Sequence, residues 1–256
     1  MWAKRIRPTY ALCFEVTAMS DRELRLQPRL QRIADCVPQG TRLADVGTDH
    51  GYLPVWLIQN KRISHAIASD INAAPLEHAR RTAELYGVDD EQLELRLCAG
   101  LEGYAPNEAD TIVIAGMGGE TIAAILDAVF WLRGGDTVLL LQPMTKVELL
   151  RRHITENGFR IISERLVLDK GVIYTVIEAI SGTGQKLSGA EAWCGVGLEN
   201  DPLYGEYVSS RIRKLEDAAA GIRRGKNANL PVAEALESNA AELRIKLREW
   251  ENADRK

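Results

Sequence analysis

The stretch Asp45-Val46-Gly47-Thr48-Asp49-His50-Gly51-Tyr52-Leu53 follows a short strand pattern, Arg42-Leu43-Ala44, and leads into a helical one carrying Leu53, Val55, Trp56 and Leu57. Glycines belong in such a bend because the backbone turns sharply and a ligand must come close to it. A dinucleotide fingerprint G-x-G-x-x-G would need glycine at 47, 49 and 52, where the chain has Gly47, Asp49 and Tyr52. The acidic-x-G-x-G-x-G pattern of methyltransferases fits better, since positions 45, 47, 49 and 51 are Asp, Gly, Asp and Gly. S-adenosyl-L-methionine carries an ammonium and a sulfonium but no pyrophosphate, so Asp49 would attract it where it would repel a phosphate. A plain strand-glycine-helix turn with an acidic cap would look similar.

Working outward, the strand-helix alternation repeats. Residues 65–70 form a strand pattern, 73–86 a helix closed by Gly87, 93–98 and 111–115 two further strands, 119–130 a helix, 137–141 a strand and 146–157 a helix ended by Gly158. Residues 159–168 and 172–180 face each other across Asp169-Lys170-Gly171 as an antiparallel hairpin. The expected fold is therefore α/β, a Rossmann-like seven-stranded methyltransferase sheet spanning residues 19–181. Residues 182–201, rich in Gly and Ser, are expected to be a linker. Residues 202–256 carry two apolar stripes, Val208-Ile212-Leu215-Ala219-Ile222 and Val232-Leu236-Ala240-Leu243-Leu247, which make an antiparallel helical hairpin that must dock on something to be stable. An earlier stripe, Leu26-Leu30-Ile33-Ala34-Val37, is also helical.

Three further segments leave the carboxyl ends of strands, where ligands bind in parallel sheets. Asp70, with Ile71 and Asn72, stands where a carboxylate accepts hydrogen bonds from ribose hydroxyls; alone it would be a simple helix cap. Gly100, in Cys98-Ala99-Gly100-Leu101, lies where an adenine ring would rest. Ala115-Gly116-Met117-Gly118-Gly119-Glu120 takes the place of the Asn/Asp-Pro-Pro-aromatic motif of many amine methylases, and its glycines leave room for a planar base. The expected cofactor-binding set is Asp45, Gly47, Thr48, Asp49, His50, Gly51, Asp70, Ile71, Asn72, Gly100, Ala115, Gly116 and Met117. Asp49, Met117 and Glu120 are the candidates for a part in catalysis, the two carboxylates as stabilisers of positive charge. Met117 could equally face the core and Glu120 could simply favour a helix N-terminus.

Composition narrows the class. No run of apolar residues is long enough to span a membrane, and Glu15 interrupts the only short apolar patch near the start, so a cytoplasmic protein is expected. Met19 is expected as the natural start, with residues 1–18 a disordered extension. Cys13, Cys36, Cys98 and Cys194 show neither a disulfide framework nor a zinc spacing, and no metal is expected. The net charge of −4 does not advertise nucleic-acid binding. Basic residues do cluster locally, at Arg22, Arg25, Arg29 and Arg32 and at Arg211, Arg213, Lys214, Arg223, Arg224 and Lys226; Arg29, Arg223 and Arg224 are the candidates for RNA phosphate contact. The interspersed acids would also suit a merely solvated face.

Together Asp45-Val-Gly-Thr-Asp-His-Gly-Tyr-Leu-Pro54, Ser69-Asp70-Ile-Asn72, Ile114-Ala-Gly-Met-Gly-Gly119 and Leu141-Gln142-Pro143 resemble the bacterial tRNA (adenine-22-N1)-methyltransferases, the TrmK family. The early Leu26-x-x-Arg29-Leu30 helix and the domain order are similar too, whereas Gly195-Val196-Gly197 departs from the family's Gly-Pro pair. The resemblance implies a class I methyltransferase that uses S-adenosyl-L-methionine and transfers a methyl group to N1 of an adenine in tRNA, here expected to work as a monomer. A small-molecule methyltransferase and a non-catalytic cofactor-binding protein remain alternatives; the first should act without RNA, and the second should show no turnover.

Overall fold

The computed structural model describes residues 23–225 and 229–253. The expected extension at residues 1–18, the possible start at Met19, Cys13, Arg22 and Lys226 lie outside the described residues.

Seven strands form one sheet in the order β3-β2-β1-β4-β5-β7-β6. β1 (Leu43–Val46), β2 (Ala66–Asp70), β3 (Leu93–Leu97), β4 (Thr111–Gly118) and β5 (Val138–Thr145) run parallel. β6 (Phe159–Asp169) and β7 (Val172–Ser181) form the antiparallel hairpin, with β7 pairing antiparallel to β5. The chain first runs outward from β1 to β3, then crosses back to β4. The switch point therefore falls between β1 and β4, where a crevice opens at the strand ends.

The strand sequences explain the layering. β1 and the first half of β4 are buried throughout, as central parallel strands covered on both faces must be. Alternate residues feed two cores. Ala44, Val46, Ile112, Ile114, Leu139 and Leu141 pack with Ile122 and Leu126 of α4 (Gly119–Asp127) and Leu150 and Ile154 of α5 (Val147–Glu156). Leu43, Ala66, Ala68, Val113 and Leu140 pack on the other face with Ile33 of α1 (Pro28–Cys36), Leu53, Val55 and Leu57 of α2 (Tyr52–Gln59), and Ala83 of α3 (Ala73–Leu85).

Two expectations need correction. β4 does not stop at residue 115 but continues to Gly118 with register shifts against β5 around Ala115–Met117, because the end of β5 also runs on to Thr145 and supplies partners. The segment 182–201 is no plain linker. It holds α6 (Gly189–Cys194), opened by a capping box between Ser188 and Glu191, and Ala190, Cys194 and Leu198 are buried in a third core.

That third core joins Leu166 and Ile173 of the hairpin strands to α7 (Tyr204–Arg224) and α8 (Leu230–Ala253). α7 begins at Tyr204, two residues after Pro202. Gly205 lets the Trp250 ring lie against α7, and the Trp250 indole N–H donates to the Glu199 carbonyl at 2.7 Å. A buried polar knot fastens these helices to the sheet. Arg151 of α5 reaches Glu164 of β6 at 2.7 Å, donates to the Ala192 carbonyl at 2.8 Å and to the Tyr207 hydroxyl at 3.0 Å. Cys36, Cys98 and Cys194 are free thiols, and among the described residues no helix is long and apolar enough to cross a membrane.

Candidate active site

The bend after β1 is held by its backbone. The Gly47 and Thr48 N–H groups both donate to the Ser69 carbonyl at 2.8 Å, tying the loop to the end of β2. Gly47 has φ +78°, and a Cβ there would overlap the Met117 methyl carbon. Gly51 has φ +66°, and a Cβ there would lie 2.9 Å from Ala79 Cβ on α3. Each glycine is thus required twice over, by a left-handed backbone and by a neighbour in the space a side chain would fill.

Asp45 is buried beneath this loop. Loss of water pushes its carboxyl up to about 6, although a hydrogen bond from Thr48 opposes the shift. Among the described residues no basic side chain lies within salt-bridge distance of Asp45, so its ionised form would be stabilised by a cation entering the crevice. Asp49 is exposed at the rim, 3.5 Å from His50 Nε2. The His50 ring stacks on Tyr52, with centroids 5.2 Å apart, and on His78, 4.8 Å apart and 9° from parallel. A metal ion sits in the plane of each imidazole that binds it. The two near-parallel histidine rings therefore do not converge with Asp49 on a common ion in this arrangement.

A crevice of about 930 Å³ opens here, large enough for a nucleoside-sized ligand and an incoming base. It gathers Asp45, Gly47, Thr48, Asp49, His50 and Gly51 from the first loop and Ala115, Gly116 and Met117 from β4. Tyr52, Leu24, Leu26 and Leu30 are among the other wall residues. The close approach of Met117 to Gly47 brings the two loops together.

Other expected residues stand outside the walls of this crevice. Asp70 ends β2, and its Oδ1 accepts the Asn72 N–H at 2.7 Å in an Asx turn just ahead of α3, whose N-cap, Asn72, makes no side-chain capping bond. Ile71 is 67% exposed beside Asp70, and exposed Leu97 ends the neighbouring strand opposite Asp70, so an apolar ledge is open to solvent there. Gly100 has φ +51°, and a Cβ there would meet Ile125 at 3.1 Å. Glu120 is not among the residues that line the crevice; it is ion-paired with Lys146 at 2.6 Å in the first turn of α4, where a carboxylate also favours the helix start.

Sequence made Arg29 a candidate for RNA phosphate contact, with a solvated helix face as the alternative. In the fold its side chain is 20% exposed and lines the crevice, with Nη1 donating to Gln142 Oε1 at 2.6 Å. The reason lies in the docking of α1 against the sheet, which brings Arg29 Nε 4.0 Å from Asp169 and its guanidinium 6.0 Å from the Tyr174 ring centre. Gln142 was quoted only as part of a motif and given no role. A fully buried amide within the apolar run Leu139-Leu140-Leu141 of β5 is the signal that could have found it. On the hairpin, Arg223 is exposed and paired with Glu237 at 2.7 Å, and Arg224 is exposed beside it.

Residues 26–177 match the family model of a methyltransferase domain. The chain is 35% identical over 187 residues to the tRNA (adenine(22)-N(1))-methyltransferase of Bacillus subtilis, covering 73% of this chain and 76% of that one. The structure of Sp1610 from Streptococcus pneumoniae in complex with S-adenosyl-L-methionine superposes with a TM-score of 0.74 at 30% identity, covering 86% and 99% of the two chains. TrmK of M. capricolum in complex with S-adenosyl-homocysteine gives a TM-score of 0.71 at 27% identity, covering 87% and 98%.

Proposed function

This chain belongs to the bacterial tRNA (adenine(22)-N(1))-methyltransferase family, and from that premise we propose that it transfers a methyl group from S-adenosyl-L-methionine to N1 of adenine 22 in tRNA. The single observation that carries the proposal is the buried Asp45 carboxylate under a glycine bend, with Met117 against Gly47, at the switch point of the sheet. That arrangement suits a cationic, adenosine-bearing methyl donor and offers nothing to a pyrophosphate. The complexes of the two relatives with S-adenosyl-L-methionine and S-adenosyl-homocysteine support the same choice of cofactor.

When bound, the cofactor supplies an electrophilic methyl group on a sulfonium. The residues of this chain then have three tasks. Asp45 and Asp49, with Thr48, His50 and Gly51, would hold the charged end, and Asp70, Ile71, Asn72 and Gly100 the adenosine end. Ala115, Gly116 and Met117 would form the wall where the target base meets the methyl group. N1 of adenine is a neutral nucleophile, so the protein need not remove a proton before attack. Its contribution is alignment within a crevice from which water is displaced. As the N–C bond forms and the S–C bond breaks, positive charge passes to the base. Asp49 at the rim is the group proposed to stabilise it, in place of Glu120, which Lys146 already engages.

The target adenine must leave its stack to reach this crevice, and the exposed Arg223 and Arg224 are proposed to hold the tRNA through phosphate contacts. The same reading puts the enzyme in the cytoplasm with its substrate, acting as a monomer. The test is methyl transfer to a tRNA transcript lacking the modification, with the modified position located by the block it imposes on reverse transcription, alongside cofactor calorimetry. Transfer to N1 of adenine 22 is the expected result. Cofactor binding without methylation of any tRNA would overturn the substrate, and absence of cofactor binding would overturn the whole proposal.

A further inference from the structure

We infer that Gln142 is a positioning residue for the methyl acceptor: it clamps the Arg29 guanidinium and the Gly116 peptide together, so that the two form one rigid wall on which the target base is seated. The inference rests on the reading of the crevice as the site of tRNA methylation.

Gln142 is fully buried at the carboxyl end of β5. Its Oε1 accepts two hydrogen bonds at once, from Arg29 Nη1 at 2.6 Å and from the Gly116 N–H at 3.2 Å. Its Nε2 donates to the Pro143 carbonyl at 3.0 Å, which fixes the orientation of the amide. The two groups it joins come from opposite parts of the chain. Arg29 sits in the first turn of α1, and Gly116 lies where β4 slips its register against β5, with φ +79°. A bulged strand end is free to adopt more than one path unless something holds its amide. A long arginine has many rotamers unless something holds its guanidinium. One buried amide removes both freedoms.

The consequences for binding follow from the donor inventory. Guanidinium carries five N–H donors, and the hydrogen bond to Gln142 uses one of them. Asp169 lies on its Nε side at 4.0 Å, balancing the charge. Arg29 lines the same crevice as Gly116 and Met117. A purine entering with N1 toward the methyl donor keeps N3 and N7 as acceptors, and a preorganised guanidinium is well suited to donate to one of them. Arg29 is therefore assigned to recognition of the base, and Gln142 acts through it.

A double-mutant cycle on the full chain tests this, with Gln142→Met, Arg29→Met and the double variant assayed for methylation of an unmodified tRNA transcript. Each single change is expected to lower kcat/KM for tRNA by about tenfold to a hundredfold, and the double variant to be no worse than the poorer single one. Cofactor affinity in Arg29→Met should stay within about threefold of the parent, because the guanidinium is assigned to the base. Gln142→Glu should recover most of the activity, since a carboxylate accepts from both Arg29 and Gly116. Losses that simply add, or a parallel fall in cofactor affinity, would overturn the inference. Should Gln142→Met fail to fold, Arg29→Lys serves in its place. It keeps the charge and loses the planar fork, so near-normal activity in that variant also overturns the inference, whereas a loss like that of Arg29→Met supports it. A parent protein that methylates no tRNA removes this inference together with the proposed function; additive losses in an active parent remove this inference alone.

Discussion

Arg151–Glu164 and Arg223–Glu237 pair the same two residue types at the same distance, 2.7 Å, yet both side chains of the first pair are fully buried while those of the second are 41% and 45% exposed. The first ties α5 and β6 to α6 and α7, and each atom of the guanidinium fork has a partner. The second lies at the far end of the helical hairpin in water. Geometry alone would rank them as equals. Burial decides otherwise, because a charge removed from water depends on its partner and a charge left in water hardly notices it. Asp45 is the third case in this series, a buried carboxylate with only a hydroxyl for company. The knot is built for permanence, the loop for a visitor, and the hairpin end for an exposed encounter.

The largest effect should come from breaking the knot. Arg151→Met leaves Glu164 buried without its cation, and denaturant unfolding should show a loss of about 3–5 kcal/mol. A loss no bigger than that of a surface variant would erase the distinction.

Next comes Asp45. Its carboxyl ionises near the ordinary 3.8 of an aspartate in the unfolded chain and at about 6 in the folded one. Between these values unfolding releases a proton, so stability falls as pH rises, and the penalty is complete above about 6. Asp45→Asn should therefore be more stable than the parent at pH 8, by up to about 3 kcal/mol, with the difference vanishing near pH 4 in thermal denaturation. A cationic cofactor prefers the ionised form, so cofactor affinity should rise as pH passes 6 in the parent but not in the variant. A flat profile in the parent would detach Asp45 from the cofactor.

Gly47→Ala should cost about 1–3 kcal/mol for its left-handed backbone, and by displacing Met117 it should weaken cofactor binding about tenfold in calorimetry. Normal affinity would show that the Gly47–Met117 contact does not shape the crevice.

The smallest stability change belongs to the hairpin. Arg223→Glu with Arg224→Glu should leave the unfolding midpoint of the sheet unmoved while tRNA binding weakens about tenfold and its salt dependence flattens. Unchanged tRNA affinity would strip the hairpin of its role.

These regions were not equally legible. The parallel half of the sheet announced itself because strand, glycine bend and helix follow one another within a few residues, and Asp45, Gly47 and Gly51 keep their spacing whatever lies beyond. The Glu120 ion pair was not legible because its partner, Lys146, belongs to another strand-helix junction. Residues 182–201 looked like a linker because glycine and serine are read as loop formers, although here Ser188 caps a short helix and the apolar residues around it are buried.

The sequence by itself determined the alternation of strands and helices and the bend after β1, since each depends on neighbours a few residues apart. Only the tertiary structure decided that Arg29 faces inward to Gln142, 113 residues away, and that Arg151 meets Glu164 and Tyr207 in one buried knot. Periodicity records which side of an element is apolar. It does not record which distant polar group will be waiting when that side is covered, because the partner is chosen by the packing of whole helices and strands.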